Sequence, residues 1–350
     1  MADPDWADLR SRHPRLLVDE LESAYQRGSI SFTATELAAA ASTVDVTFQP
    51  GQALALLADA TWLIEHWRDG ERDPDFPDEE PEQIPVFVWN AGPRRTPGWL
   101  LLVHGMNTKG LWQEHLTFDI GLWQGQAIPT FVFKYGRIVP GVILPWRRRT
   151  LKRRLRETIL ELSEQAPKHS VRSEPDVVAH SFGTWLLGHV LLDEEADPKG
   201  LRIGRVILTG CILRPDFPWK RLQTKGLVGE VLNHYGTADS VVPWAQWTIT
   251  DSGPSGRSGF NAAPDAVANL INVIAPEFTH SEALSDRQRF TSYSKTWRPF
   301  MTSPVDQPFR GLVDTRRNSA WRPVHWPLHN GVVPLVGVLA VVAMVWLVLR

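Results

Sequence analysis

Cysteine is almost absent: Cys211 is the single one in 350 residues. An intrachain disulfide is therefore excluded, and so are thiolate-rich zinc or iron–sulfur sites, which fits a reducing compartment. Cys211 lies in an apolar run and reads as a small core residue. No paired CxxC, HExxH, phosphate-binding loop or dinucleotide fingerprint is present, so no cofactor and no metal are expected. An excess of one charge is lacking too. Lys and Arg total 37 against 39 Asp and Glu, a formal net charge of −2 that does not favour a nucleic-acid partner. Met1 to Leu17 carries Asp3, Asp5, Arg10, Arg12 and Arg15 without an apolar core, so no cleaved signal peptide is expected.

Hydrophobic content of 43% with 22% charged residues is that of a folded chain, long enough for one large domain and a smaller module. Residues 1–68 read as a small helical module. Leu9, Leu16, Leu17, Leu21 and Tyr25 recur at helical spacing, and Thr33 to Glu36 has capping-box spacing. Pro50-Gly51 then opens a helical pattern that runs to Trp67. An acidic linker follows over 69–85, with eight carboxylates, and should be extended and solvated. A domain expected over 86–310 alternates strand patterns with helical ones. Val86–Trp89, Trp99–Val103, Thr130–Tyr135, Val177–Ala179, Arg205–Leu208 and Glu230–Tyr235 read as strands. Leu151, Leu155, Ile159 and Leu162 form a helical stripe. That alternation predicts an α/β fold, a mostly parallel sheet with helices on both faces.

The last long feature is apolar. Gly331 to Leu349 has no charged residue, and nineteen residues at helical rise give about 28 Å, close to a bilayer core. A single transmembrane helix is expected over 331–350, after a juxtamembrane segment over 311–330. Arg316, Arg317 and Arg322 on its flank favour keeping the large domain on the cytoplasmic side, and Trp326 and Trp346 suit the two interfaces.

The chemistry centres on Val177-Val178-Ala179-His180-Ser181-Phe182-Gly183. An apolar strand runs into a serine and a helical pattern starts at once, the layout that holds a hydroxyl proud of a sheet. Such a serine needs a base, an acid that orients the base, and donors for an oxyanion. Asp239, just after a strand, is the acid candidate, with Asp216 the other. His280, about forty residues on, is the base candidate, with His234 the alternative. The backbone N–H groups of Met106, in Val103-His104-Gly105-Met106, and of Phe182 are the oxyanion candidates. Arg147, Arg148, Arg149, Lys152, Arg153, Arg154 and Arg156 follow the apolar stretch Ile138–Trp146. They read either as a solvated helix face, which the acidic linker could pair with, or as a contact for anionic lipid headgroups.

With these residues in place the chain resembles an α/β-hydrolase of the serine esterase/lipase type, over about Val86 to Ala283. Ala179 stands where the family's motif has its first glycine. The resemblance implies that Ser181 attacks an acyl carbonyl, that His280 takes the serine proton, and that Asp239 fixes the imidazole. It implies a membrane-anchored hydrolase of carboxylic esters, lipid acyl esters included, with the membrane as partner through the C-terminal helix. A peptidase or amidase on the same triad is an alternative. So is an effector hydrolase recruited through its N-terminal module, which bears a faint likeness to small adaptor domains and would then have a protein partner.

Overall fold

The computed structural model describes residues 5–27, 31–60, 64–66, 85–88, 95–105, 112–124, 127–135, 145–166, 173–261, 269–288, 290–305, 308–309 and 312–315. It divides into two compact units: Met1–Arg95 with Phe290–Leu312, and Thr96–Arg289 with Val313–Arg350.

The first unit opens with helices α1 (Trp6–Arg12) and α2 (Arg15–Arg27), separated at Pro14. Strand β1 (Ser31–Thr33) feeds α3 (Ala34–Ala41) through the expected capping box. The Glu36 N–H donates to Thr33 Oγ1 at 3.0 Å, and the Thr33 N–H donates to Glu36 Oε2 at 2.9 Å. Helix α4 (Pro50–Asp59) begins on a proline, whose missing N–H costs nothing there. Leu9, Leu17, Leu21, Leu37, Leu56 and Leu57 form this unit's core.

Two expectations fail here. The helix expected to reach Trp67 stops at Asp59, and β2 (Ile64–His66) follows. The strand β3 (Pro85–Val88) does not open the large sheet. It lies between β1 and β2, antiparallel to both, with Phe32 opposite Val86 and Glu65 opposite Phe87. Ile64 and Val86-Phe87-Val88 favour extended backbone, and pairing them outweighs a helical spacing. The boundary expected at residue 86 therefore falls at Arg95, and Phe290–Leu312 returns to the first unit rather than closing the domain expected over 86–310. The Arg95 N–H donates to the Thr302 carbonyl at 3.1 Å within that unit.

The second unit is built on six described strands: β4 (Leu100–Val103), β5 (Thr130–Phe133), β6 (Asp176–His180), β7 (Val206–Thr209), β8 (Val231–Tyr235) and β9 (Leu270–Ile274). Their order is β5-β4-β6-β7-β8-β9, and every pairing is parallel. β4, β6, β7 and β8 are buried throughout, as a covered parallel sheet requires. The connecting helices include α5 (Trp112–Gln124), α6 (Pro145–Gln165), α7 (Phe182–Ala196), α8 (Trp219–Thr224) and α9 (Val242–Thr248).

The chain steps one way from β4 to β5 and the other way from β5 to β6. Right-handed crossovers then put α5 on the face opposite α6 and α7. The carboxyl ends of neighbouring β4 and β6 thus form a topological switch point, the crevice where open α/β sheets bind ligands. Leu151, Leu155 and Ile159 of α6 join Leu186, Leu187 and Val190 of α7 in the core. Ion pairs clamp the two helices: Lys152 to Asp193 at 2.6 Å and Arg156 to the fully buried Glu194 at 2.5 Å. Glu194 also accepts the N–H groups of Lys199, Gly200 and Leu201.

Among the described residues no helix is long and apolar enough to cross a membrane. The span expected over 331–350 and the linker over 69–84 lie outside the described residues. Of the segment expected to be juxtamembrane, Asp314 and Thr315 lie along β9. The Thr315 N–H donates to the Asn272 carbonyl at 2.8 Å, and Asp314 Oδ1 accepts the Asn272 N–H at 3.2 Å. An apolar cleft of about 200 Å³, lined by Trp99, Pro129, Phe131 and Leu162, opens at the amino edge of the sheet, the end opposite Ser181.

Candidate active site

β6 ends at His180 and α7 begins at Phe182, so one residue makes the whole turn. That residue, Ser181, has φ 53° and ψ −124°. A non-glycine residue held there costs about 1–3 kcal/mol and persists only where its surroundings fix it. They do. The Ser181 N–H donates to the Thr209 carbonyl at 3.0 Å. The Ser181 carbonyl accepts the Thr184 N–H at 2.9 Å and the Thr184 hydroxyl at 2.6 Å, and that hydroxyl in turn accepts the Ile212 N–H at 3.1 Å.

The glycine two residues on has an equally concrete cause. A Cβ at Gly183 would sit 2.4 Å from the Val103 carbonyl oxygen and 2.9 Å from that of His104. The first turn of α7 thus rests directly on the end of β4, where only hydrogen fits.

The three expected partners meet. Ser181 Oγ lies 2.8 Å from His280 Nε2, and His280 Nδ1 lies 2.8 Å from Asp239 Oδ2. This network assigns the proton to Nδ1 and leaves Nε2 to accept from the serine. Asp239 Oδ1 accepts the N–H groups of Val241 and Val242 at 2.9 and 3.0 Å, so the carboxylate cannot swing away. The loops after β8 and β9 are tied together. The Ala238 N–H and the Thr237 hydroxyl both donate to the Pro276 carbonyl, at 3.2 and 3.0 Å. The Asp239 and His280 loops are therefore fixed as one. The Asp239 side chain is 1% exposed and that of His280 16%.

The alternatives do not join this relay. Asp216 forms a two-pronged pair with Arg214, at 2.9 and 2.7 Å. His234 is buried within β8, against Phe278, and burial pushes its pKa down to about 3. Of the oxyanion candidates, Met106 lies outside the described residues. Phe182 is the first residue of α7, so its N–H is one of the donors a helix leaves unsatisfied at its positive end. The loop after β4 is braced just before Met106. The Tyr135 hydroxyl donates to the His104 carbonyl at 2.6 Å, and the two rings stack at 4.6 Å. Tyr135 also meets Phe182 edge-on at 5.8 Å. Burial lowers the His104 pKa.

Sequence reasoning missed His180, Thr209, Thr184, Tyr135 and Gly210. His180 is fully buried, its pKa pushed down to about 3 chiefly by burial, so it is a neutral neighbour of the base. Its Nδ1 lies 3.0 Å from Thr209 Oγ1, its Nε2 3.4 Å from Ser281 Oγ, and its ring 5.0 Å from that of His280. Gly210, at φ +49°, makes room: a Cβ there would lie 2.9 Å from the His280 carbonyl oxygen. The available signal was a polar residue closing an apolar strand beside the serine. Among the described residues no group of three potential ligands could hold a metal ion.

No protein-family model matches the chain, and no curated protein matches it.

Proposed function

We propose that the protein is a serine hydrolase of α/β-hydrolase type that cleaves carboxylic esters through an acyl-enzyme. One observation carries this reading: a serine at φ 53°, at the carboxyl edge of a parallel sheet, hydrogen-bonded in line to His280 and Asp239. Ser181 Oγ attacks the acyl carbon while its proton passes to His280 Nε2. The imidazolium formed is held by Asp239 through Nδ1–H. Negative charge develops on the acyl oxygen, beside the Phe182 N–H, with the Met106 N–H as the expected second donor. His280 then gives its proton to the leaving alkoxide. A water takes the alcohol's place and adds to the acyl carbon while losing a proton to His280. His280 then returns that proton to Ser181 Oγ as the acyl–Oγ bond breaks and the acid leaves. The apolar stretch over 331–349 anchors this unit to a membrane in the same reading, with the catalytic unit on the cytoplasmic side.

The test is labelling by a fluorophosphonate together with turnover of short- and long-chain acyl esters and of matched amides. Wild-type protein is expected to label and to favour esters, and Ser181→Ala to lose both labelling and turnover. Turnover that survives Ser181→Ala refutes the nucleophile.

A further inference from the structure

Helix α6 carries seven cations between Arg147 and Arg156, and the structure sorts them. Lys152 and Arg156 are committed to Asp193 and Glu194. Arg148 is buried, its Cζ 5.5 Å over the Trp185 ring. Arg147, Arg149, Arg153 and Arg154 remain exposed on the outer face with Thr150, and among the described residues their one acidic contact is a loose 3.9 Å approach of Arg153 to Glu157. Trp146 stands on the same face, 61% exposed. Helical spacing puts Trp146, Thr150, Arg153 and Arg154 on one stripe, with Arg147 and Arg149 flanking it.

The stripe starts at the reactive edge of the sheet. α6 follows β5 and α9 follows β8, so both helices begin at the carboxyl edge, where Ser181 lies. Val241, just before α9, and Trp244 within it add two exposed apolar side chains, at 48% and 71%. Packed groups link α6 to the serine turn: Arg148 lies over Trp185, and Trp185 stacks at 5.5 Å on Phe182, the residue after Ser181.

We infer that this edge docks on an anionic lipid surface, with Trp146 and the four exposed arginines of α6 as the contact. Four like charges with a single loose carboxylate contact among the described residues call for an anionic partner. Exposed indoles beside them suit the headgroup boundary, where a ring meets both water and hydrocarbon. The exposed apolar side chains of this edge, Trp146, Val241 and Trp244, favour a lipid surface over a nucleic-acid duplex, whose phosphates would engage the arginines alone. Reach also fits. If residues 331–349 span a bilayer, the fifteen residues from 316 to 330 hold Thr315 within about 54 Å of it. What docking achieves rests on the hydrolase reading: it presents Ser181 to acyl esters that sit in the bilayer.

The experiment uses the full chain with Thr150→Cys carrying an environment-sensitive fluorophore, in nanodiscs of phosphatidylcholine alone or with phosphatidylserine. Cys211 is fully buried and its thiol is pushed up to about 12, so the label goes to position 150. Blue-shifted emission and shielding from aqueous iodide are expected with phosphatidylserine only, and are expected to vanish in high salt. Each arginine near an anionic surface contributes about fivefold, so Arg149→Glu with Arg153→Glu should lower the docked-to-undocked ratio by at least about 25-fold. Trp146→Ala should weaken docking in low salt while leaving its lipid selectivity. Emission that is identical in both lipids, or that survives the double reversal, overturns the proposal. So does shielding by an oligonucleotide in the absence of any by phosphatidylserine. The same readings on Ser181→Ala separate the two ideas: docking that persists while fluorophosphonate labelling of the wild type fails refutes the hydrolase reading alone.

Discussion

Gly183→Ala is the sharpest test of the serine turn. The added methyl would lie 2.4 Å from a backbone oxygen of β4, whereas ordinary contact begins at 3.4 Å. Neither side can yield easily. Val103 is hydrogen-bonded in a buried parallel strand, and Phe182 and Leu186 pack the helix into the core. The start of α7 must therefore move by about 1 Å. Overpacking of this kind costs about 1–3 kcal/mol, a fall in melting temperature of about 2–4 °C per kcal/mol for a unit of this size. The effect on chemistry should be larger than the effect on stability. A 1 Å displacement of a reacting group costs about 100-fold, and Ser181 adjoins the helix that moves. Fluorophosphonate labelling rate and thermal midpoint, measured on the same preparation, check both. Gly188→Ala is the control in the same helix. Its methyl meets the far end of the Leu213 side chain, at 2.7 Å, and gains helix propensity. It should label at nearly the wild-type rate. Wild-type labelling and midpoint in Gly183→Ala would refute the close contact and the geometry built on it.

Two further outcomes follow from the buried histidines. His180→Ala removes the bridge between Thr209 and Ser281 and should lower kcat roughly tenfold, the size of one lost hydrogen bond, with KM little changed. His180→Gln should restore part of it, and an unchanged kcat in His180→Ala would show that the bridge does not position His280. Burial also pushes His189 down to about 4, beside His180 and His234 at about 3. Their folded values lie below the unfolded value near 6.5, so between the two the unfolded chain binds more protons. Stability is thus full above about pH 6.5 and declines as pH falls toward the folded values. The urea midpoint should be level from pH 8 to 7 and drop by pH 5, whereas a midpoint that rises on acidification contradicts the neutral burial of these rings.

The central strands were legible because each is an apolar run bounded by turn residues, and Val177-Val178-Ala179 is the clearest. β9 was not. Its run is broken by Asn272, which is fully buried, accepts from the Phe260 N–H and from Asn233 Nδ2, and so satisfies a polar group that the pattern alone would place in solvent. β2 was misread because aromatic and aliphatic residues near Trp62 and Ile64 also fit a helical period. The partner that decides between the two periods, β3, lies some twenty residues away. The grouping of Ser181, Asp239 and His280 was legible through chain order. The residues that hold it, Thr184, Thr209 and His180, were not, since a threonine that clamps a strained carbonyl looks like any other threonine until the turn is built.

The interleaving of the two units bears on how the molecule comes off the ribosome. Residues up to Arg95 are synthesised first, yet their unit is incomplete until Phe290–Leu312 has emerged. The parallel sheet, its last strand ending at Ile274, can close while the earlier unit still waits for its final segment. A chain arrested just before residue 290 should therefore carry a closed sheet beside an unfinished amino-terminal unit. Both units thus wait on chain made after residue 289, Phe290–Leu312 for the first and the stretch from Val313, with its contacts to β9, for the second.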